Sequence, residues 1–138
     1  MVQLEDISVG DELPELQRPG SVRHWSRFAA VNYEFADHHW DDEVAQAEGF
    51  PGAFAMAPLL QSLVYATLRS WLGEGGSIQE VNIRLRSPFL KDRQLTCRGK
   101  VTAIEKQDDG TLVTLDIEQT DDQDIQVATG TAIVVLQT

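Results

Sequence analysis

The chain has 138 residues, 42% hydrophobic and 24% charged, with a formal net charge of -11. That length suits one domain around a single core, expected to run over residues 1–138. So acidic a surface repels phosphate backbones and anionic lipid, which argues against nucleic-acid and membrane-surface partners.

The only basic clustering is Arg84, Arg86, Lys91, Arg93, Arg98 and Lys100, spread along strand-like sequence. It suits an anionic small molecule better than a duplex. One cysteine, Cys97, leaves no intramolecular disulfide and fits a reducing compartment. The opening MVQLEDISVGDE lacks a basic region followed by an apolar run, so no secretory signal is visible and a cytoplasmic location is expected. The most apolar window, 53–68, is too short to span a bilayer.

Val9-Gly10-Asp11 and Pro19-Gly20 are turn signals bracketing ELPELQR, which predicts a first strand or extended arm. Ser21 is placed to cap a short helix in which Trp25, Phe28 and Ala29 recur at i, i+3 and i+4, a pattern that fades near Asn32. A loop follows, EFADHHWDD, over 34–42. Asp41 reads as the N-cap of a helix over 42–48, with acidic residues in its first turn and Gly49 as its stop. A second helix is expected over 57–72, with Pro58 near its start and Gly73 at its end. Leu59, Leu60, Leu63, Val64, Leu68, Trp71 and Leu72 make it apolar on most faces, so other elements must wrap it.

Beyond it, Val81, Ile83 and Leu85 alternate with polar residues, as do 95–101 and 113–117, while 127–136 is apolar on nearly both faces. Asp108-Asp109-Gly110 and 121–124 are hairpin-type turns. The prediction is an α+β layout: one buried helix and an antiparallel meander of about four strands, curled around the helix or packed flat against it.

The stretch EFADHHWDD admits three readings on its residues alone. A metal site would use Asp37, His38, His39, Asp41 and Asp42, with His24 in reserve, but adjacent histidines diverge on an extended chain and the last two aspartates suit the helix start. A solvated loop is the plainest reading, against which stand the rings of Phe35 and Trp40, expected to tuck the loop against the core. An acid/base pair would join one histidine, able to exchange a proton near neutrality, to a carboxylate that orients it. Glu34 and His39, five residues apart, are the candidates, with Asp37 as the alternative carboxylate.

The run HHWDDEVAQAEGFPGAFAMAP reads as His-x-Asp, a short helix, Gly-Phe-Pro-Gly and a long apolar helix. In this it resembles the MaoC-like hotdog dehydratases and (R)-specific enoyl-CoA hydratases. Their signature is Asp-(Phe/Tyr)-x-Pro-(Ile/Leu)-His-x-Asp, then Gly-(Phe/Tyr)-Pro-Gly and a helix beginning His-Gly-Met. The resemblance extends over nearly the whole chain. VGDELPEL matches the family's first strand, and IRLRSPFLKDRQLTCRGKVTAI its strand, Pro-containing turn and strand.

The resemblance implies a hotdog fold, an antiparallel sheet wrapped around one long central helix. It puts His39 on the catalytic histidine, Asp41 on the aspartate two residues later and Glu34 on the catalytic aspartate. Water held between carboxylate and histidine would add across the 2,3 double bond of an enoyl thioester. The Ala57 N–H would hold the thioester oxygen. Phe54, Met56 and Leu60 are candidates for the acyl pocket, and Arg84 and Arg86 for the phosphates of coenzyme A, which enters as part of the substrate. No metal or other cofactor is implied, and the partner would be a second copy or another hotdog chain. The sequence departs from the signature at Glu34, at Ala36-Asp37 where Asn-Pro is usual, at His38 where an aliphatic residue stands, and at Met56-Ala57-Pro58. These departures keep two alternatives in view: a non-catalytic subunit that binds acyl-CoA or supports a partner, and a hotdog thioesterase.

Overall fold

A computed structural model of the chain describes residues 7–137. In chain order it contains β1 (Leu16–Pro19), α1 (Val22–Asn32), a 3₁₀ turn (Asp37–His39), α2 (Asp42–Ala47), α3 (Ala57–Leu72), β2 (Gly76–Leu85), β3 (Gln94–Gln107), β4 (Gly110–Asp121) and β5 (Gln126–Leu136). The five strands form one antiparallel sheet in the order β1-β3-β4-β5-β2.

α3 forms where its pattern placed it. Pro58 lies in the first turn, where a missing N–H costs nothing, and Gly73 closes the helix with a positive φ of 59°. Val64, Leu68 and Leu72 are buried against Val101, Val113, Leu115 and Val134 from the inner face of the sheet. A second cluster joins Trp25, Met56, Leu60, Phe89, Leu95 and Val127 at the other end of the helix. Each fully buried leucine contributes about 1.5–3 kcal/mol, so this contact dominates the stability of the fold. The sheet curls around α3, with an extra residue at register shifts in β2, β3 and β5, at which a bulged strand can bend.

The meander expectation holds only for β3, β4 and β5. β2 does not neighbour β3; it pairs with β5 at the far edge, Leu85 opposite Ala128. Alternation reports which face a residue takes and is silent on which strand lies beside it. The 86–93 connection therefore carries the chain across the sheet, and Phe89 is buried on the way against the edge of Trp25. The ELPELQR arm is a strand only from Leu16, with an isolated bridge from Glu12 to Lys100 before it.

Gly130 on β5 leaves no room for a side chain against β2, since a Cβ there would lie 1.9 Å from the Asn82 carbonyl oxygen. Cys97 faces the core, and burial pushes its thiol above the ordinary value, which makes it a poor nucleophile. Among the described residues no helix is long and apolar enough to cross a membrane.

Candidate active site

Three pieces of chain meet at the site. The first is the end of α1. Tyr33 takes a left-handed conformation (φ 54°, ψ 48°) and donates its N–H to Ala29 O, as does Glu34 at 3.0 Å. That reversal, unusual for a residue with a Cβ, turns Glu34 back toward the core. It also throws Tyr33 outward with Phe35, the two rings meeting edge-on at 5.3 Å. Phe35 is 54% exposed, so it does not anchor the loop as expected; its ring packs on that of exposed Tyr33 instead. Trp40 does pack against the core cluster.

The second piece is the 3₁₀ turn, closed by His39 N–H to Ala36 O and Trp40 N–H to Asp37 O. It buries His39 and ends in α2, whose N-cap is Asp41: its carboxylate accepts from the N–H groups of Glu43 and Val44 at 2.9 and 3.3 Å. Ser21, by contrast, starts α1 without a side-chain cap.

The third piece is the extended segment 53–55. Ala55 N–H donates to Phe89 O and Lys91 N–H to Ala53 O, a short ladder with the 86–93 connection. Backbone groups alternate in direction along an extended chain, so those of Phe54 face the other way, toward the histidines. Phe54 N–H points at His38 O at 3.4 Å, and Phe54 O lies 2.7 Å from His39 Nδ1. A carbonyl only accepts, so Nδ1 carries the proton and Nε2 of the neutral ring is left with a free lone pair. Nε2 faces Glu34 Oε1 at 3.4 Å. The other Glu34 oxygen accepts from Asn32 Nδ2 at 3.2 Å. The histidine side chain is 4% exposed and the glutamate 30%. One oriented base thus stands beside one carboxylate, reachable from outside on the carboxylate side.

An Asp42 strut locks these pieces together. Its Oδ1 accepts from Ala53 N–H at 2.8 Å and its Oδ2 pairs with Lys91 Nζ at 2.5 Å. The Ala53 amide first, and then the lysine, hold the Asp42 carboxyl below the usual carboxylate value, while the same carboxylate raises Lys91.

Beside the pair a groove of about 290 Å³ is lined by Phe50, Phe54, Ala57, Leu60, Arg86 and Pro88, among others. The Phe54 ring meets the edge of His39 at 5.4 Å and so forms the wall shared by groove and base. The Ala57 N–H, first in α3, has no acceptor among the described residues.

The structure therefore brings Glu34, His39, Phe54, Leu60, Ala57 and Arg86 into one neighbourhood and leaves three candidates outside it. The Asp37 side chain is exposed, and the turn uses only its carbonyl. Met56 is fully buried beside Trp25 and Leu60, because the residue before the helix points into the core rather than into the groove. Arg84 sits exposed on β2, two residues from Arg86 and not in the groove lining. The two histidines diverge, His38 to Glu48 and His39 to Glu34, and among the described residues no three His, Cys, Asp or Glu side chains converge as a metal site. Sequence reasoning missed Asn32, the Asp42–Lys91 strut and the Phe54 carbonyl. Asn32 could have been suspected as an amide two residues from a key carboxylate; a backbone carbonyl leaves no trace in residue types.

No family model matches the chain. Over 96 residues, 70% of this chain and 74% of the relative, it is 30% identical to the 3-oxo-4,17-pregnadiene-20-carboxyl-CoA hydratase beta subunit of Mycobacterium tuberculosis. Among solved structures it superposes on the ChsH1-ChsH2 complex from the same organism with a TM-score of 0.83 at 25% identity, covering 94% of this chain and 98% of that one. It superposes on the (R)-hydratase of A. caviae at 0.85 and 24%, covering 96% and 98%. For a MaoC-like dehydratase of Rhodospirillum rubrum the values are 0.85 and 21%, covering 100% and 99%.

Proposed function

Since the chain belongs to the MaoC-like hotdog family of hydratases and dehydratases, we propose that it adds water reversibly across the 2,3 double bond of an enoyl thioester carried by coenzyme A or an acyl-carrier protein. The observation that supports this best is the placement of the His39 ring. With Nδ1 on Phe54 O at 2.7 Å, Nε2 stands 3.4 Å from a carboxylate and next to an apolar groove.

A water lying to one side of the 3.4 Å gap, within reach of both Glu34 Oε1 and His39 Nε2, gives one proton to Nε2 as its oxygen bonds to C3. The π electrons move through C2 onto the thioester oxygen, which accepts from the Ala57 N–H at the positive end of α3. Glu34 stabilises the imidazolium formed beside it. The same proton then passes from Nε2 to C2 as the carbonyl re-forms, so the pair ends as it began. Phe54 and Leu60 hold the acyl chain, and Arg86 is the cation at the groove rim suited to a phosphate of the carrier.

A second hotdog chain, identical or different, completes the assembly in this reading. Support comes from the two-chain complex among the similar structures and from the exposed Val31, Tyr33 and Phe35 flanking Glu34. The beta-subunit name of the 30% relative also favours a second reading, an acyl-CoA-binding subunit that leaves catalysis to its partner.

Purified protein is mixed with crotonyl-CoA, or a bulkier enoyl-CoA, while absorbance at the enoyl conjugation band is followed. Hydration removes the band, and His39→Ala should lower the rate by about 10²–10⁴-fold, the usual share of general acid/base catalysis. Unchanged turnover in that variant would sink the mechanism. Acyl-CoA binding without turnover, for any chain length, would favour the accessory subunit, and release of free thiol would mark a thioesterase.

A further inference from the structure

His38 plays no part in the chemistry above, yet, with its side chain 27% exposed against 4% for His39, it still has a side-chain partner and two ring contacts. Its Nδ1–H donates to Glu48 Oε2 at 2.7 Å, and Glu48 is itself fixed as the C-cap of α2, its N–H shared by the Val44 and Ala45 carbonyls. The His38 ring lies stacked on Phe54, centroids 4.9 Å apart and planes 20° from parallel. It also meets His39 edge-on at 4.4 Å. From other sides Phe54 touches Phe50 at 4.2 Å and the edge of His39.

We propose that His38 and Glu48 form a brace that sets the position of the Phe54 ring, making His38 a specificity-determining residue for the acyl group. The role follows from geometry. Phe54 is the wall shared by groove and base, and a phenyl ring left to itself swings about two side-chain torsions. The His38 face closes one side of that swing, and Glu48 prevents the imidazole from moving away with it. The backbone of Phe54 is anchored separately, through the 53–55 ladder, so the brace governs groove width and leaves the Phe54 carbonyl on His39 Nδ1 in place. Glu48 thus ties the groove wall to the end of α2, although neither His38 nor Glu48 is among the groove-lining residues. The inference rests on the hydratase reading for its kinetic readout only; its structural readout is independent of catalysis.

The experiment compares His38→Ala, Glu48→Ala and Glu48→Gln with the wild type in three measurements. First, Phe54 ring-flip rates are measured by NMR in the unliganded protein; both alanine variants should speed the flip, and Glu48→Gln, which still accepts from Nδ1–H, should restore the slow rate. Second, saturated acyl-CoAs of short and long chain are titrated calorimetrically. The alanine variants should weaken the long chain by about 2- to 10-fold, the range of one aromatic contact, and spare the short one. Third, with enoyl-CoA substrates KM should rise for the long chain while kcat on crotonyl-CoA stays near wild type. Unchanged flip rates and unchanged long-chain binding in both alanine variants would overturn the brace. Absence of turnover in all proteins would defeat the hydratase reading, with the first two measurements still deciding the brace.

Discussion

Glu34→Asp restores the residue that the resembling family carries at this position, and the geometry says it should nevertheless lose activity. Glu34 Oε1 lies 3.4 Å from His39 Nε2. Removing one C–C bond shortens the reach by about 1.5 Å, so the gap opens to about 5 Å unless the backbone moves. The backbone is poorly free to follow, because the left-handed Tyr33 and the Glu34 N–H bond to Ala29 O fix where the side chain starts. The Asn32 contact to the second oxygen is lost as well. A catalytic group misplaced by about 1 Å costs on the order of 100-fold, or about 2.7 kcal/mol of transition-state stabilisation. The expected result is therefore a fall in kcat/KM of about 100-fold or more in the enoyl-CoA absorbance assay, with thermal unfolding within about 0.5 kcal/mol of wild type because the side chain is partly exposed. Glu34→Gln, equal in length and unable to stabilise the imidazolium, serves as the comparison for loss of charge without loss of reach. A Glu34→Asp enzyme within about threefold of wild type would refute the idea that reach sets the pair.

Gly130→Ala should be among the most destabilising single-methyl changes in the chain, because its Cβ would sit 1.9 Å from Asn82 O and force β2 off β5; a loss of about 3 kcal/mol or more is expected in urea denaturation, or no folded protein at all. Asp42→Asn should separate from wild type in a pH-dependent way. The folded-state value of Asp42 is depressed below the ordinary 3.8, so its contribution is present above about that pH and is lost as pH falls through the lower folded value. Lys91 is raised above 10.5, so its contribution is present below that value and is lost as pH rises through the higher folded one. Denaturation midpoints of the two proteins should thus differ between those limits and converge in acid; a gap that persists at the lowest pH would contradict the strut.

Helices α2 and α3 were legible because each carries local punctuation. Asp41 caps α2 through bonds its own side chain makes, Gly73 stops α3, and the apolar stripe of α3 states that something wraps it. The neighbour order of the strands was not legible, since Val81, Ile83 and Leu85 show the same alternation beside β5 as they would beside β3. At the site, Glu34 and His39 stood out as candidates because both side chains are titratable, and the structure sets them 3.4 Å apart. Met56 was misplaced because an apolar residue at a helix start can face core or groove with equal hydropathy, and Phe35 because a left-handed tyrosine before it has no composition signal. The Asp42–Lys91 strut spans 49 positions of sequence, a separation that no local pattern reports.

The acceptor that sets the His39 tautomer is main chain, at Phe54, while the side chain of the same residue forms the groove wall. Residue 54 can therefore change identity without deleting the acceptor. On the proposed function, substitutions there should change which acyl groups fit while the main-chain acceptor for His39 Nδ1 stays in place. A screen for altered substrate range should draw its variants from this position, and an alanine scan for catalytic residues would pass over the acceptor entirely.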